Sequence, residues 1–355
     1  MLHRVTDSGL VTQTGELAGP STALPSPYLL FLGDTVEPGY AKTAFGLRDW
    51  APERCVGELA LSGATVSTGL PALTPHEAVE RGARALLVGV ATRGGHVPAK
   101  WLPTFLEALG AGLDIVSGMH DRLADNPVLA TEAARLGRRL IDVRVPPSDI
   151  PIASGRKRSG RRLLTVGTDC ALGKKYTALA IARGLAKRGL DVDFRATGQT
   201  GIMIAGAGIP IDAVVADFVA GAAEMLSPDA AADHLDVIEG QGSLFHPSYA
   251  AVSLGLLHGS QPDVFVVCHD PGRTHVLGLA EFPLPSIEEV IAQTVAAGQL
   301  TNAAIRCCGI SLNTSALNDD AAAEVIAATA ARLNLPTAEP VRGIGLEALL
   351  DACSA

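Results

Sequence analysis

The feature that most constrains this chain is a short apolar strand that runs directly into a glycine-bounded loop and a basic helix start. The stretch reads LLTVG, TDCALG and KK over residues 163–175. Such a loop turns backbone N–H groups towards an oxyanion, and the start of the following helix adds partial positive charge. The sequence therefore predicts a phosphate-binding loop formed by Gly167, Thr168, Asp169, Cys170, Ala171, Leu172, Gly173, Lys174 and Lys175.

This loop departs from the common GxxxxGK[ST] pattern in two ways. Five residues separate its glycines, and Lys175 occupies the place of the Ser or Thr that would hold Mg²⁺. We expect Lys174 to reach the outer phosphates of a ligand. The pattern thus favours an anion-binding loop, and it leaves open whether the anion is Mg-ATP or a phosphate-carrying ligand that needs no metal.

Strand and helix patterns alternate on both sides of this loop. The chain has 355 residues, 48% of them hydrophobic, which is enough for about two domains with full cores. Strands are predicted at 28–34, 85–91, 114–119, 141–145, 163–167, 191–197, 235–240, 263–269 and 304–313. Helices are predicted at 103–113, 129–140, 174–188, 287–297 and 320–333. The fold class is therefore α/β, with a small, mostly parallel N-terminal sheet and a doubly wound parallel sheet after it.

Composition places the domain boundaries. Residues 1–26 form a lead-in rich in Thr, Ser and Pro, and 27–148 form the N-terminal domain. Residues 149–162 form a linker, and 163–355 form the C-terminal domain. The linker carries the densest cationic run of the chain, Arg156 to Arg162, which we interpret as solvated. The alternative is a cationic rim that attracts an anionic cofactor.

Charge and composition exclude several classes of partner. The net charge of −9 repels nucleic acid and anionic lipid, and aromatic residues, at 4%, are too few for base-stacking platforms. No apolar segment fits a signal peptide or a membrane span. The six cysteines form no CxxC pair, which is typical of reduced thiols in the cytoplasm. We therefore expect a cytoplasmic protein that binds a small molecule, and its apolar richness is compatible with a homo-oligomer.

Candidate catalytic residues stand where the predicted strands end. Glu239 closes the strand LDVIEG, where an acidic residue can hold Mg²⁺ through water or act as a general base. His246 lies in SLFHP, and His269 and Asp270 follow the strand DVFVVC. Histidine can take a proton from an attacking amine near neutral pH. Structural roles remain the alternative for each of these side chains.

Four residues are candidates for binding the substrate. Gln199 and Thr200, between two glycines, offer hydrogen-bonding side chains, although the segment also fits an ordinary turn. Arg273 can pair with a carboxylate, and Lys42, after the first strand, can meet an anion or lie free on the surface. Cys170 is expected to have a pKa lowered by the loop amides. No metal site is predicted, because the His, Asp and Glu residues lack compact ligand spacing.

Several longer strings carry a resemblance to known proteins. GTDCALGK, ATGQTGIMIAG, DVIEGQGSLFHP and CHDPGR resemble a family long catalogued as a domain of unknown function. Its characterised members include D-glutamate N-acetyltransferases of the DgcN type. The resemblance extends from about Tyr28 onward, and it implies an N-terminal Rossmann-like domain and a C-terminal P-loop NTPase-like domain. The loop alone also resembles the GTDxxxGK loop of dethiobiotin synthetase, an ATP-dependent enzyme that activates carboxylates.

These resemblances imply two enzymatic functions. The first is an N-acetyltransferase that moves acetyl from acetyl-CoA to the amine of D-glutamate or a similar acidic amino acid, with Glu239 or His246 as base and Arg273 on a substrate carboxylate. Coenzyme A carries phosphates that an amide-lined loop can bind without a Mg²⁺ hydroxyl. The alternative is an ATP-dependent ligase or kinase in which Lys174, Asp169 and Glu239 organise Mg-ATP. A nucleotide-sensing protein without catalysis is a third possibility.

Overall fold

The computed structural model describes residues 23–355, apart from the side chain of Arg93. Most of the lead-in predicted over 1–26 therefore lies outside the described residues. Among the helices of the described part, none is both long and apolar enough to cross a membrane.

Backbone contacts divide the chain into two compact units. Residues 23–146 and Gln199–Pro210 form the N-terminal unit, while Pro147–Gly198 and Ile211–Ala355 form the C-terminal unit. The chain thus enters the C-terminal unit, returns to the N-terminal unit for one short segment, and leaves it again.

The N-terminal unit contains a five-stranded sheet in which all neighbours are parallel, in the order β2-β1-β3-β4-β5. Its strands are β1 (Tyr28–Gly33), β2 (Cys55–Ala60), β3 (Ala85–Val88), β4 (Asp114–Ser117) and β5 (Leu140–Asp142). Its first helices are α1 (Lys42–Trp50), α2 (Pro75–Glu80), α3 (Leu102–Ala111) and α4 (Pro127–Leu136). Strand β1 is buried along its whole length, as its apolar sequence predicts. The helix predicted over 129–140 ends at Leu136, because Gly137 adopts a left-handed φ of 64°.

The C-terminal unit contains a six-stranded parallel sheet in the order β13-β12-β9-β6-β8-β7 and a separate antiparallel hairpin of β10 and β11. Its strands are β6 (Arg161–Gly167), β7 (Val192–Arg195), β8 (Leu235–Ile238), β9 (Val264–His269), β10 (His275–Val276), β11 (Leu279–Pro283), β12 (Arg306–Leu312) and β13 (Thr337–Ala338). The helices that follow in the chain are α5 (Lys174–Lys187), α6 (Gln199–Ala205), α7 (Val219–Leu226), α8 (Ala250–Ser260), α9 (Ile287–Gly298), α10 (Asp319–Leu333) and α11 (Leu346–Ser354). Helix α6 belongs to the N-terminal unit and the other six to the C-terminal unit. Both sheets confirm the predicted α/β class.

Strand β6 lies near the middle of its sheet, between β8 and β9. Because all these strands are parallel, their carboxyl ends share one edge, and the loop after β6 stands there beside the ends of its neighbours. In the same way, the amino ends of the strands share the opposite edge. Polar residues at the same end of neighbouring strands can therefore lie close together, and those at opposite ends cannot.

Two arginines of the cationic run before β6 differ from the prediction, whereas Arg156 and Lys157 are exposed. Arg158 and Arg162 are 6% and 0% exposed, so they are neither solvated nor available as a cationic rim. Their guanidinium groups donate to backbone carbonyls at the ends of α7 and α8, including Ser227 O and Gly259 O, each 2.7 Å from Arg158. The last carbonyls of a helix have no partner within the helix and carry partial negative charge. Sequence composition could not show that these helix ends would receive the arginines.

Candidate active site

The predicted phosphate loop joins β6 to α5 in a conformation that few residues adopt readily. Ala171 has a φ of 54° and Gly173 a φ of 103°. Left-handed backbone is costly for alanine and inexpensive for glycine. The surrounding contacts must therefore hold the peptide groups of this loop in place.

The backbone N–H groups in the second half of the loop are open to a ligand. Within the part of the chain that the structure describes, the amides of Ala171, Leu172, Gly173 and Lys174 donate no hydrogen bond. By contrast, the amide of Thr168 donates to Cys268 O, 3.1 Å away. Consecutive unpartnered amides at a helix start are the donors that a phosphate group requires.

Arg273 fixes the orientation of this loop. Its Nη1 donates to the carbonyl of Cys170 at 2.8 Å and to the carboxylate of Asp169 at 2.9 Å. In a peptide group the C=O and the N–H point in opposite directions. The bond to the Cys170 carbonyl therefore directs the Ala171 amide away from Arg273. Asp169, fully buried, also accepts from the amide of Leu277 at 2.8 Å.

Lys174 is buried beside the loop and bonds to it. Lys174 is only 7% exposed, and its Nζ donates to the backbone carbonyl oxygen of Asp169 at 2.7 Å. Burial lowers the pKa of Lys174. A Cβ atom on Gly240 would lie 3.1 Å from Lys174 Cδ and 1.6 Å from Thr165 O. Only glycine at position 240 allows the strand end and the lysine stem to approach this closely.

The residues after Lys174 offer no free hydroxyl to a bound cation. The Thr177 hydroxyl lies 2.7 Å from Ser311 Oγ, and the Cys268 thiol donates to it at 3.4 Å. The ammonium of Lys175 lies 4.4 Å from the centre of the Tyr176 ring. This donor set therefore fits a phosphate group bound by amides and Lys174 better than a phosphate group bridged by Mg²⁺ to a hydroxyl.

Glu239 stands at the carboxyl end of β8 as a buried carboxyl group with one open oxygen. Its Oε2 accepts from the amides of Thr197 at 3.0 Å and Gly198 at 3.1 Å. Its Oε1 has no hydrogen-bond partner among residues 23–355. Burial raises the pKa of Glu239, and the charge of Lys175 and the two amides reduce that rise. A carboxyl group with a raised pKa and a free oxygen is suited to proton transfer.

The other predicted catalytic residues lie on the same unit. The ring of His246, 5% exposed, stacks on Tyr249, and its Nδ1 accepts from the amide of Ser248 at 3.1 Å. His269 Nδ1 lies 3.0 Å from Thr168 Oγ1, and burial lowers the pKa of His269. Asp270 accepts from the amide of Gly272 at 3.0 Å and so closes a turn.

Among residues 23–355, two clusters contain groups that can ligate a metal. Ligand atoms of Asp169, Cys170 and His246 lie within 4.8 Å of one another, as do those of Asp193, His234 and Asp236. In the first cluster the carboxylate of Asp169 already accepts three hydrogen bonds. The sequence does not anticipate either cluster, and the absence of a metal site stays a prediction.

Cys170 differs from its prediction. Burial raises its pKa, and the nearby charge of Lys174 offsets only part of this rise. The Cys170 amide donates to the Asp169 carboxylate, 2.6 Å away, and the charge of this carboxylate adds to the rise in the pKa of Cys170. A neutral thiol of this kind is a weak nucleophile.

The remaining predicted residues belong to the N-terminal unit. Thr200 Oγ1 lies 2.9 Å from Thr43 Oγ1, and Gln199 Oε1 accepts from Arg144 Nη1 at 2.7 Å. Lys42 is exposed at the start of α1. The sequence reasoning did not single out Thr43 or Arg144. Arg144 lies inside the strand predicted over 141–145, so no strand-end signal marks it, whereas in the structure β5 already ends at Asp142.

Comparisons with known proteins match both halves of the chain. Residues 151–350 match the family described as "Domain of unknown function (DUF1611_C) P-loop domain", and residues 54–146 match "Domain of unknown function (DUF1611_N) Rossmann-like domain". These matches confirm the predicted Rossmann-like and P-loop classes.

Individual relatives cover nearly the whole chain. A D-glutamate N-acetyltransferase of Tritonibacter scottomollicae is 47% identical over 332 residues, which is 94% of this chain and 99% of the relative. A D-glutamate N-acetyltransferase of a Pseudoalteromonas species is 48% identical over 316 residues, 89% of this chain and 95% of that protein. The crystal structure of a DUF1611 family protein from Anabaena variabilis is 34% identical, with a TM-score of 0.78, and the match covers 92% of this chain and 98% of that one. The chain therefore belongs to the DUF1611 family, as its sequence resemblance indicates.

Proposed function

We propose that this protein is an N-acetyltransferase that moves acetyl from acetyl-CoA to the amine of D-glutamate or a closely similar acidic amino acid. The two relatives that carry the name D-glutamate N-acetyltransferase support this reaction, since each is nearly half identical over most of its length. The geometry of the phosphate loop supports the choice of coenzyme A as the carrier of the acetyl group.

The observation that carries the proposal is the row of open amides at the end of the loop. Four consecutive N–H groups, from Ala171 to Lys174, have no partner in the described part of the chain, and the buried Lys174 ammonium lies beside them. The pyrophosphate of coenzyme A needs such donors and needs no Mg²⁺. Because the Thr177 hydroxyl is bonded to Ser311, the hydroxyl that Mg-ATP requires is not offered here.

Glu239 supplies the base in this proposal. The amine of an amino acid is protonated at neutral pH and must lose a proton before it attacks the thioester. Oε1 of Glu239 is open to accept that proton, and the amides of Thr197 and Gly198 hold the other oxygen. The deprotonated amine then forms the amide bond as the C–S bond breaks, and the released thiolate takes up a proton. His246 and His269 are the alternative bases.

The residues that we propose to bind the substrate differ from the sequence prediction in one case, Arg273. We keep Lys42, Gln199 and Thr200 as groups that bind the amino acid. For Arg273 we propose a positioning role, because its donors are directed to Asp169 and to the Cys170 carbonyl. A cytoplasmic location and a homo-oligomeric state stay predictions.

A thiol-release assay tests this function. The purified chain is incubated with D-glutamate and acetyl-CoA without ATP, and free thiol and N-acetylglutamate are measured. A parallel reaction with ATP and Mg²⁺ in place of acetyl-CoA measures ADP. We expect thiol and product in equal amounts in the first reaction and no ADP in the second; ADP without thiol would establish the ligase or kinase alternative instead.

The variant Lys174→Met connects this activity to the loop. It removes the buried ammonium while keeping a similar stem over Gly240, and we expect its Kd for coenzyme A to rise about 100-fold. Lys187→Met is the matched control, since Lys187 is exposed at the other end of α5. Equal affinities in the two variants would show that the loop does not bind the carrier.

A further inference from the structure

Asn313 directly follows β12 and brings an amide side chain to the carboxyl edge of the C-terminal sheet. Strands β6, β9 and β12 are consecutive neighbours in that sheet. The backbone amide of Asn313 donates to the carbonyl of His269 at 2.8 Å, and His269 Nδ1 lies 3.0 Å from Thr168 Oγ1 in the phosphate loop. Thr168, His269 and Asn313 therefore form a row across the ends of three strands.

The length of this row fits an adenine nucleotide. Neighbouring strands lie about 4.8 Å apart, so the backbone of Asn313 stands roughly 10 Å from that of Thr168. In an adenine nucleotide, a ribose and its 5′ carbon separate the phosphates from the base by a length of this order. A phosphate group bound by the loop amides therefore leaves the base within reach of Asn313.

Asn313 and Glu239 lie on opposite sides of the loop. Strand β8, which ends just before Glu239, is the neighbour of β6 on one side, while β9 and β12 lie on the other. In the proposed function Glu239 takes a proton from the amine, so the acetyl end of the carrier extends towards β8. The side of β9 and β12 is then left for the nucleoside.

The side-chain amide of Asn313 is open to a base. Its Oδ1 accepts from the backbone amide of Ser315 at 3.2 Å, which uses one of two lone pairs. Its –NH₂ group donates to nothing among residues 23–355. Asparagine binds adenine through two hydrogen bonds, one from its –NH₂ group to N7 and one from the N6 amino group to Oδ1. Guanine has an acceptor at position 6, which would face Oδ1 with no hydrogen between them.

Thr314, the next residue, has a hydroxyl group without a partner. The residue is 1% exposed, and its Oγ1 makes no hydrogen bond within the described chain. A buried hydroxyl of this kind costs free energy, and a ligand that bonds to it removes that cost. This is a second, independent indication that a ligand completes the turn after β12.

The backbone of this turn is held in place before any ligand binds. The amide of Leu317 donates to the carbonyl of Thr314 at 2.9 Å. Arg342 Nη2 donates to the same carbonyl at 3.1 Å and to the carbonyl of Leu317 at 2.8 Å. A site that is fixed in advance loses less conformational entropy on binding.

We propose that Asn313 and Thr314 form a nucleobase site that binds the adenine nucleoside of the carrier, with Asn313 on N6 and N7 and the Thr314 hydroxyl bonded to the same nucleoside. Asn313 is then the residue that selects adenine over guanine. This inference rests on the proposed function for the identity of the carrier as coenzyme A. Mg-ATP contains the same adenosine diphosphate, and the acetyl-transfer assay separates the two carriers.

Titration calorimetry on the full chain tests the site without acetyl transfer. The probes are coenzyme A, ADP, GDP and 4′-phosphopantetheine, which keeps a phosphate and the thiol arm of coenzyme A and lacks the nucleoside. The variants are Asn313→Ser, whose hydroxyl can still accept from the Ser315 amide, and Thr314→Val, which removes only the hydroxyl hydrogen bond. Asn318→Ser is the matched control, because Asn318 also accepts from a backbone amide, that of Ala321, at the start of α10.

We expect Asn313→Ser to raise the Kd for coenzyme A and ADP about 20-fold and to bring the affinities for ADP and GDP within about threefold of each other. The Kd for 4′-phosphopantetheine should change by less than about twofold, since this probe has no base. Thr314→Val should raise the Kd for coenzyme A about fivefold without lowering the thermal midpoint, because it removes a hydroxyl that has no partner in the free protein. Asn318→Ser should match the wild type for every probe.

The outcomes separate this inference from the proposed function. An Asn313→Ser variant that binds coenzyme A as tightly as the wild type overturns the site, as does an equal loss of affinity for 4′-phosphopantetheine, which would indicate a change at the loop. A lower thermal midpoint in Thr314→Val with unchanged coenzyme A affinity overturns the role of that hydroxyl. Wild-type protein that prefers ADP to GDP through Asn313 and releases no thiol with acetyl-CoA keeps the site and overturns the acetyltransferase. Wild-type protein that releases thiol, while Asn313→Ser binds coenzyme A normally, overturns the site alone.

Discussion

The polar groups at the two edges of the C-terminal sheet differ in whether they have hydrogen-bond partners. At the carboxyl edge, the loop amides and Glu239 Oε1 stand without partners in the described chain. At the amino edge, Arg162, Ser227, His234 and Asp236 form an ionic cluster with the side chain of Arg195, whose backbone is the last residue of β7.

Asp236 is the centre of the ionic cluster. Its Oδ1 accepts from Arg195 Nε at 2.6 Å and lies 3.1 Å from His234 Nε2, while its Oδ2 accepts from Ser227 Oγ at 2.5 Å. Arg162 Nε in turn donates to Ser227 Oγ at 2.7 Å. Four of these five residues are at most 3% exposed, and Arg195 is 5% exposed.

This difference indicates which edge of the C-terminal unit serves ligand binding and which serves stability. A buried polar group costs free energy unless it has a partner, so the hydrogen bonds around Asp236 at the amino edge stabilise the fold. An unpartnered donor or acceptor at the carboxyl edge carries that cost until a ligand arrives. Changes at the two edges should therefore separate activity from stability.

The largest expected effect is on activity at the carboxyl edge. Glu239→Gln keeps the two amide contacts and removes the base, so we expect kcat to fall by about 10²–10³-fold. In the wild type, activity should rise with pH as the Glu239 carboxyl group loses its proton, and its raised pKa moves that rise towards neutral pH. The pH profile of the variant should lack this rise in activity.

His246→Asn is the comparison for this prediction. It keeps a polar side chain beside Tyr249 and removes one of the two alternative bases. If the rise in activity with pH is absent in His246→Asn and present in Glu239→Gln, then His246 is the general base and Glu239 is not. Neither change should shift the thermal midpoint by more than a few degrees.

Stability at the amino edge should change next most strongly. Asp236→Asn leaves Arg195 and His234 facing a neutral amide in a buried site, and removing one partner of such a pair costs about 3 kcal/mol. Denaturant unfolding measures this loss. At a temperature where the variant is folded, its affinity for coenzyme A should equal that of the wild type.

Glu132→Gln is the control for Asp236→Asn. It breaks an exposed pair with Arg135 in the N-terminal unit, 2.6 Å between Oε1 and Nη2. Exposed pairs contribute little, so the unfolding midpoint should not move. A loss of coenzyme A affinity in folded Asp236→Asn would instead show that the two edges are coupled.

The sequence predicts the position of the loop and of Glu239 at the carboxyl edge, because its signals are local, while the roles of these residues stay predictions. A strand, two glycines and a lysine fall within a dozen residues, and Glu239 follows directly from the end of a strand. The buried arginines were read wrongly because their partners lie far along the chain: Arg158 bonds to Ser227 and Gly259. No local pattern distinguishes an arginine that will meet helix ends from one in a linker.

The unit to which a segment belongs also cannot be predicted from local sequence. The segment Gln199–Pro210 lies within the C-terminal half of the sequence, yet its contacts place it in the N-terminal unit. Strand β2 was not predicted either, because CVGELA mixes small and charged residues and gives no clear alternation. In both cases tertiary contacts decide the outcome, and these leave no periodic signal.

Arg273 provides a smaller test of the open amides. Arg273→Ala frees the carbonyls of Cys170 and Ala171, so the loop amides lose their fixed direction. We expect the Kd for coenzyme A to rise about tenfold, while the KM for D-glutamate changes less than twofold. The opposite pattern, a higher KM for D-glutamate with normal coenzyme A affinity, would restore the substrate role that the sequence predicts.

The smallest expected effect is the pH dependence of stability that His234 contributes at the amino edge. Burial by itself lowers the pKa of His234, but Asp236, Asp191 and Asp193 outweigh it and raise the pKa from 6.5 to about 9. The protonated ring thus stabilises the fold fully below pH 6.5, and this contribution disappears as the pH rises through 9. Between pH 8 and 10 the free energy of unfolding should fall by about 1 kcal/mol more in the wild type than in His234→Gln. Parallel pH profiles for the two proteins would mean that the ring is neutral and that Asp236 is held by Arg195 and Ser227.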